Sequence, residues 1–167
     1  MNYSTIKLPK GISTIVDVGD FEFLSQWKWH LTGGYVSRTA TIKGNLKRQI
    51  YLHRVINQTM LGFDTDHING NKLDNRRHNL RTATRSQNLA HSKLIRSHNA
   101  SGYRGVVWDK RNLSWVAQIT FKGKSFFLGN YDDIKDAAKE YNLIAKKLFG
   151  EFAVLNPVWI ILFQKRV

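Results

Sequence analysis

Asp66-His67-Ile68-Asn69-Gly70-Asn71-Lys72-Leu73-Asp74-Asn75-Arg76-Arg77-His78-Asn79-Leu80-Arg81 is the stretch that decides how this chain is read, with Gln87-Asn88 soon after it. It is rich in Asn, Asp and Gly and poor in core residues, so it reads as a loop of Asx turns and positive φ. It also brings together Asp66 as an oxygen ligand, the adjacent imidazole of His67, and Asn88 as a second oxygen ligand. Hard oxygen donors of this kind suit Mg2+ or Mn2+. Neutral histidine, with a reference pKa near 6.5, suits a general base at neutral pH. If the segment is extended, neighbouring side chains point to opposite faces, one to the ion and one to the water. Asn79 can hydrogen-bond the backbone and so fix the imidazole. Asp66, Asn69, Asn71, Asp74 and Asn75 can each also be read as plain turn builders. An EF-hand is excluded, because Gly70 falls one place early for the central glycine and Arg77 stands where the closing glutamate is required.

Working outward, the chain has 167 residues, enough for one ordinary domain or two small ones. Its apolar content of 42% is that of a globular protein. The formal charge of +14 implies a polyanionic partner, although a ribosomal protein or a cationic membrane binder would show the same excess. The absence of cysteine excludes a disulfide scaffold and a cysteine-ligated zinc site. The N-terminus lacks the apolar run of a signal peptide. The apolar run Val158-Trp159-Ile160-Ile161-Leu162-Phe163 is far shorter than the roughly 20 residues of a membrane span. It reads as a packed tail or a contact patch, and no membrane association is expected.

Residues 1 to about 50 read as strand-rich, with strands at 13–18, 34–39 and 49–52 and a turn at Lys43-Gly44-Asn45. Phe21 to Trp29 reads as a short helix, and Leu52 to Met60 as a second. Thr84 or Ser86 opens a short helix carrying Gln87, Asn88, His91 and Leu94. Residues 96–101 read as a linker. Beyond them Tyr103 to Trp108, Trp115 to Phe121 and Ser125 to Leu128 read as three strands, the last two joined by Lys122-Gly123-Lys124. A helix from about 134 to 148, capped by Asp132 or Asp133 and ended by Gly150, carries a 3.6-period apolar stripe.

The quoted stretch, preceded by Tyr51-Leu52-His53-Arg54, resembles the HNH homing endonucleases of phages and mobile introns. Val16-Asp17 and Trp27-Lys28-Trp29 are similar to that family's N-terminal approach. The resemblance covers about residues 5 to 90 and implies a ββα-metal finger: two strands and a helix around one divalent ion. It implies that His67 is the general base, Asn79 the middle, structural letter of the motif, and Asn88 the metal ligand beside Asp66. The final Asn in place of His favours magnesium or manganese. His91 is a rival or extra ligand. His53 and Arg54 are expected to touch DNA, His53 with a structural role as the alternative, and Arg81 and Arg85 to neutralise phosphates.

Basic and aromatic residues interleave between Lys93 and Lys124, which reads either as a solvated face over an ordinary sheet or as a ribbon reader of the major groove. Gly102-Tyr103-Arg104-Gly105-Val106, Trp115-Val116-Ala117-Gln118-Ile119, Phe127-Leu128-Gly129-Asn130-Tyr131 and Asp136-Ala137-Ala138-Lys139-Glu140-Tyr141 resemble the Apetala/ethylene-response-factor domain. That fold lays a three-stranded sheet in the major groove with a helix behind. Arg104 matches a DNA-contacting arginine of the family. Gln118, Thr120 and Phe127 occupy contacting positions with different residue types, and Val107 replaces another arginine, so the target sequence does not carry over. Lys110, Arg111, Lys122 and Lys124 are further expected DNA contacts.

The expected architecture is α+β: a strand-rich N-terminal part leading into the ββα-metal core, then a small three-stranded antiparallel sheet packed on one helix. The expected divisions are 1–95 (core 51–95), linker 96–101, DNA-binding domain 102–156 and apolar tail 157–167. The expected function is site-specific, one-metal hydrolysis of double-stranded DNA, by nicking or double-strand cleavage, in the cytoplasm of a bacterial or phage-infected cell. A monomer is favoured over a dimer. A non-catalytic DNA-binding regulator with a decayed nuclease core is the alternative, and an RNA- or ribosome-binding module a third class.

Overall fold

The computed structural model of the protein describes residues 2–92 and 99–158. Its contacts divide the chain into two compact units, Met1–Thr84 and Arg85–Val167. Each combines helices with antiparallel sheets, so the architecture is α+β, as the sequence implies.

In the first unit, β1 (Tyr3–Lys7) and β2 (Ser13–Asp17) form an antiparallel pair, followed by α1 (Val18–Ser25). A three-stranded sheet follows, with β4 (Tyr35–Thr41) between β3 (His30–Thr32) and β5 (Lys47–Tyr51). Then come α2 (Leu52–Asn57) and a short hairpin of β6 (Asp64–His67) and β7 (Leu80–Ala83). Ile6, Val16, Leu24, Trp29, Val36, Leu52, Ile56 and Leu80 pack into one core. Burying each such side chain stabilises the fold by about 1.5–3 kcal/mol, and the Trp29 indole N–H is satisfied by the Leu24 carbonyl at 2.8 Å.

Several expectations shift here. α1 starts at Val18 and ends before Trp27, which frees Trp27 and Trp29 to stack edge to face at 6.3 Å. α2 stops at Asn57 because Gln58 turns left-handed at φ 50°. β1 and β3 are additional strands. The stretch 66–80, expected as loop throughout, begins and ends in strand, with His67 paired to Leu80 and Asp66 to Arg81. Between them the loop is sewn onto β2. Ile15 N–H donates to the Leu73 carbonyl and Asn75 N–H to the Ile15 carbonyl, both at 2.8 Å. The Thr14 hydroxyl also donates to the Leu73 carbonyl at 2.8 Å.

The second unit opens with α3 (Arg85–His91) and continues as β8 (Val106–Asp109), β9 (Ser114–Phe121), β10 (Lys124–Tyr131) and α4 (Ile134–Phe149), with β9 central. Lys122 and Gly123 both have positive φ, as a two-residue hairpin requires. β8 starts at Val106, three residues later than expected, because the chain turns at Gly102 and Gly105. A Cβ at Gly105 would collide with the Tyr141 ring and the Gln118 carbonyl. β10 extends to Tyr131 past an irregularity between Phe127 and Gly129. Ala137, Ala138 and Ala145 bring α4 close to Val106, Ala117 and Ile119 on the sheet. Asp133 caps the helix by accepting from Lys135 N–H, and Gly150 ends it at φ 56°.

Asn142 and Asn156 clasp each other through two bonds of 2.7 and 3.0 Å, and Asn156 also brackets both backbone groups of Arg104. Linker residues 96–98, Leu94 and tail residues 159–167 lie outside the described residues. Val158 packs against the core of the second unit.

Candidate active site

The β6–β7 hairpin positions two neighbours of opposite character. Asp66 lies directly across from Arg81, whose Nε donates to Asp66 Oδ2 at 2.9 Å. Facing cross-strand partners share a sheet face. His67 turns the other way, into a cluster of rings. His53 lies edge-on at 5.2 Å between centroids, and Tyr35 lies at 6.2 Å. Asp66 is 6% exposed and His67 4%, so both functional groups are held nearly out of water.

Asn79 staples the loop between the strands. Its Oδ1 accepts from Asn69 N–H at 3.0 Å, and its Nδ2 donates to Asn69 Oδ1 at 3.0 Å and to the Asp74 carbonyl at 2.7 Å. Its own carbonyl accepts from Ile68 N–H, one residue past His67. The Arg76 guanidinium grips Asp74 through two bonds of 2.8 and 2.7 Å and holds its carboxyl below the usual range. Arg77 reaches back to Asp20, and its N–H to Asp17.

The side chain that meets the His67 ring is Asn75, with Oδ1 3.2 Å from Nε2. Sequence reasoning placed Asn75 among the turn builders. No local signal links it to His67, because Thr14, its other side-chain partner, lies far back in the sequence.

Burial lowers the pKa of His67 from the ordinary histidine value, and the bond to Asn75 with the carboxylates of Asp66 and Asp74 opposes that fall. His67 is therefore unprotonated at neutral pH and able to accept a proton.

His53 and Arg54, expected as DNA contacts, have inward partners. His53 is 7% exposed and packs between Tyr51 and His67, and its Nδ1 has no hydrogen-bond partner. The Arg54 guanidinium donates to the carbonyls of Thr59, Met60 and Phe63, so it shapes the loop leading into β6. Burial first, then repulsion from His67 in the protonated form it takes in acid and from the Arg54 guanidinium, push the pKa of His53 down to about 3.

This makes a pH prediction. Unfolded histidine takes up a proton near pH 6.5. Between that value and about 3 the unfolded chain binds more protons than the folded one, so stability rises with pH there. Stability is expected to fall by a few kcal/mol, roughly, as pH drops from about 6.5 toward 3. His53→Phe, which keeps a planar ring, should flatten that fall in urea denaturation at about pH 7 and about pH 4.5. Equal slopes in parent and variant would exclude His53 as the source.

Asn88, Arg85 and His91 lie on α3, in the second unit. That helix is fastened within its own unit. Ser86 Oγ accepts from Lys122 N–H at 3.1 Å, the Arg104 guanidinium bonds the carbonyls of Ala90 and Ser92, and α3 packs on the turn Gly150–Phe152. Arg104, expected as a DNA contact, is thus also a clamp on the end of α3.

On the sheet, Gln118 pairs directly with Phe127 and Thr120 with Ser125, so all four share one exposed face, opposite the one that meets α4. Lys110 and Arg111 are exposed in the β8–β9 turn, Lys122 in the hairpin turn and Lys124 at the start of β10.

Among the described residues no three His, Cys, Asp or Glu side chains gather as a metal site. The donors that the sequence singles out are one carboxylate, Asp66, and one amide, Asn88. Both present oxygen, and that chemistry fits a hard divalent ion. No helix among the described residues is long and apolar enough to cross a membrane.

A family model described as HNH endonuclease matches residues 50–90, a stretch that runs across the division between the two units. An uncharacterized HNH endonuclease of Acanthamoeba polyphaga mimivirus is 32% identical over 150 residues, covering 89% of this chain and 77% of that protein. Protein 3.8 of Escherichia phage T7 is 34% identical over 92 residues, covering 55% of this chain and 74% of its own. An AP2-like ethylene-responsive transcription factor of Arabidopsis thaliana is 35% identical over 81 residues, which is 48% of this chain and 23% of the plant protein.

Proposed function

Because this chain belongs to the HNH endonuclease family, we propose that it is a site-specific, homing-type nuclease that hydrolyses a phosphodiester of double-stranded DNA. The observation that carries this reading is the divergence of Asp66 and His67 on the β6–β7 hairpin: a carboxylate on one face, an unprotonated and nearly buried imidazole on the other.

His67 takes a proton from water. The hydroxide so formed attacks phosphorus, the bond from phosphorus to the 3′ oxygen breaks, and that oxygen takes a proton from solvent. The products are 5′-phosphate and 3′-hydroxyl ends. Asp66 and Asn88 would each offer an oxygen to a divalent ion, Mg2+ or Mn2+, which when bound would neutralise charge on the phosphate and the departing oxygen. Asn79 keeps the hairpin loop in register beneath His67. Arg81 holds the Asp66 carboxylate in place, and Arg85 is assigned to a neighbouring phosphate.

The sheet of residues 102–156 is the grip on the duplex. Gln118, Thr120 and Phe127 face the major groove, and Lys110, Arg111, Lys122 and Lys124 take the backbone, consistent with the likeness to the plant transcription factor. The protein acts as a monomer that nicks one strand per binding event, in the cytoplasm of a bacterial or phage-infected cell.

Asn88→Ala tests the oxygen-donor role. Cleavage is expected to vanish while the affinity for duplex DNA, measured by gel shift in the presence of EDTA, stays at the parent level. Parallel loss of affinity and cleavage would contradict it.

A further inference from the structure

We propose that Asn75 is a positioning residue for this reaction: its amide oxygen holds the proton of His67 on Nε2 and so leaves Nδ1 as the atom that takes the proton from water. The consequence for catalysis rests on the nuclease reading above; the geometry does not.

The orientation of the Asn75 amide is fixed by what surrounds it. Its nitrogen lies 3.2 Å from the Lys72 carbonyl, which can only accept. The same nitrogen lies 2.8 Å from Thr14 Oγ1. The one hydroxyl proton of Thr14 is directed at the Leu73 carbonyl, so that oxygen must also accept from Asn75. Turning the amide over would set its carbonyl oxygen against two acceptors. The oxygen therefore faces His67, 3.2 Å from Nε2.

An amide oxygen cannot donate, so the bond exists only if Nε2 carries hydrogen. Neutral imidazole has one such hydrogen, and Nδ1 is left with a lone pair. Both functions of the base then separate cleanly. Nδ1 accepts the proton from water, and the Nε2–H stays bonded to Asn75 in the imidazolium that results.

The anchor is rigid enough to impose this. Asn75 is fully buried, and its N–H is tied to the Ile15 carbonyl of β2 at 2.8 Å. On the ring's other side His53 and Tyr35 restrict rotation by packing against it. The Asn75–Thr14 bond thus carries the orientation of the base from a strand far away in sequence. An error in this lock has a large expected effect, because a catalytic histidine in the wrong tautomer presents a hydrogen where a lone pair is needed.

The test is a two-bond proton–nitrogen correlation spectrum of the metal-free full chain with 15N-labelled histidines. It is recorded in EDTA at a pH well above the ordinary histidine pKa, and His67 is assigned by its absence in His67→Gln. The expected result is the Nε2–H pattern at His67 in the parent. Asn75→Ala and the nearly isosteric Asn75→Leu, both of which remove the acceptor oxygen, should shift it to the mixed tautomers of free imidazole. Cleavage on the same samples with Mg2+ restored should fall by about a hundredfold or more in both variants.

An Nδ1–H pattern in the parent overturns the proposal, as does an unchanged Nε2–H pattern in a folded Asn75→Ala. If Asn75→Ala does not fold, the parent and Asn75→Leu spectra decide. A parent with Nε2–H that cuts no DNA supports the lock and counts against the nuclease reading. A parent that cuts with Nδ1–H does the reverse.

Discussion

Replacing His67 with alanine is expected to slow DNA cleavage by about a thousandfold, the scale on which a positioned general base contributes. The expectation follows from the place of the side chain. It is 4% exposed, unprotonated because burial lowers its pKa, and tied at Nε2 by Asn75. Its removal takes away the base to which the proposed reaction assigns the proton. Affinity for duplex DNA should hardly change, because a nearly buried ring offers the duplex little contact. Imidazole added to the solution should restore part of the rate by entering the space left behind. Single-turnover cleavage and gel-shift titration on the same preparation measure both. A variant that keeps roughly a tenth or more of the parental rate would remove His67 from the chemistry.

A second large effect concerns the sheet. Replacing Lys110, Arg111, Lys122 and Lys124 together with glutamine is expected to weaken DNA binding strongly and to flatten its dependence on salt. Each phosphate neutralised contributes about 0.9 to the slope of log affinity against log salt, so loss of four contacts should reduce the slope by roughly 3–4. These four side chains are exposed in turns or at a strand start, where surface substitutions change stability little. The turn at Asp109 survives the change, since Asp109 accepts from the Arg111 backbone N–H rather than its side chain. An unchanged salt slope would show that the grip lies elsewhere on the chain.

The second unit was legible because its signals are local. The alternation in β9, the Lys122-Gly123 turn and the Asp133 and Gly150 boundaries of α4 each follow from neighbours within a few residues. The hairpin carrying Asp66 and His67 was hidden for the opposite reason. β6 and β7 are four residues each and hold Asp64, Asp66, His67 and Arg81, so no apolar alternation marks them. They are strands because Asn79 closes the loop and β2 supports it, and both causes are contacts rather than patterns.

The same holds within the site. Asp66, His67, Asn79 and Asn88 could be singled out by residue type and by resemblance. The Asn75–Thr14 support of His67 spans the first unit and leaves no trace in spacing. The inward engagement of His53 and Arg54 was likewise invisible, since a basic pair beside a nuclease motif reads as a phosphate contact until its carbonyl and ring partners are seen.

The most direct measurement is the fate of supercoiled plasmid DNA mixed with the purified full chain and Mg2+ or Mn2+. Relaxed circles should form, carrying nicks that DNA ligase seals without prior treatment, and none should form when EDTA is present. Plasmid that is bound and retarded yet stays supercoiled with either ion would contradict hydrolysis by the Asp66–His67 hairpin and leave only a basic protein that holds DNA.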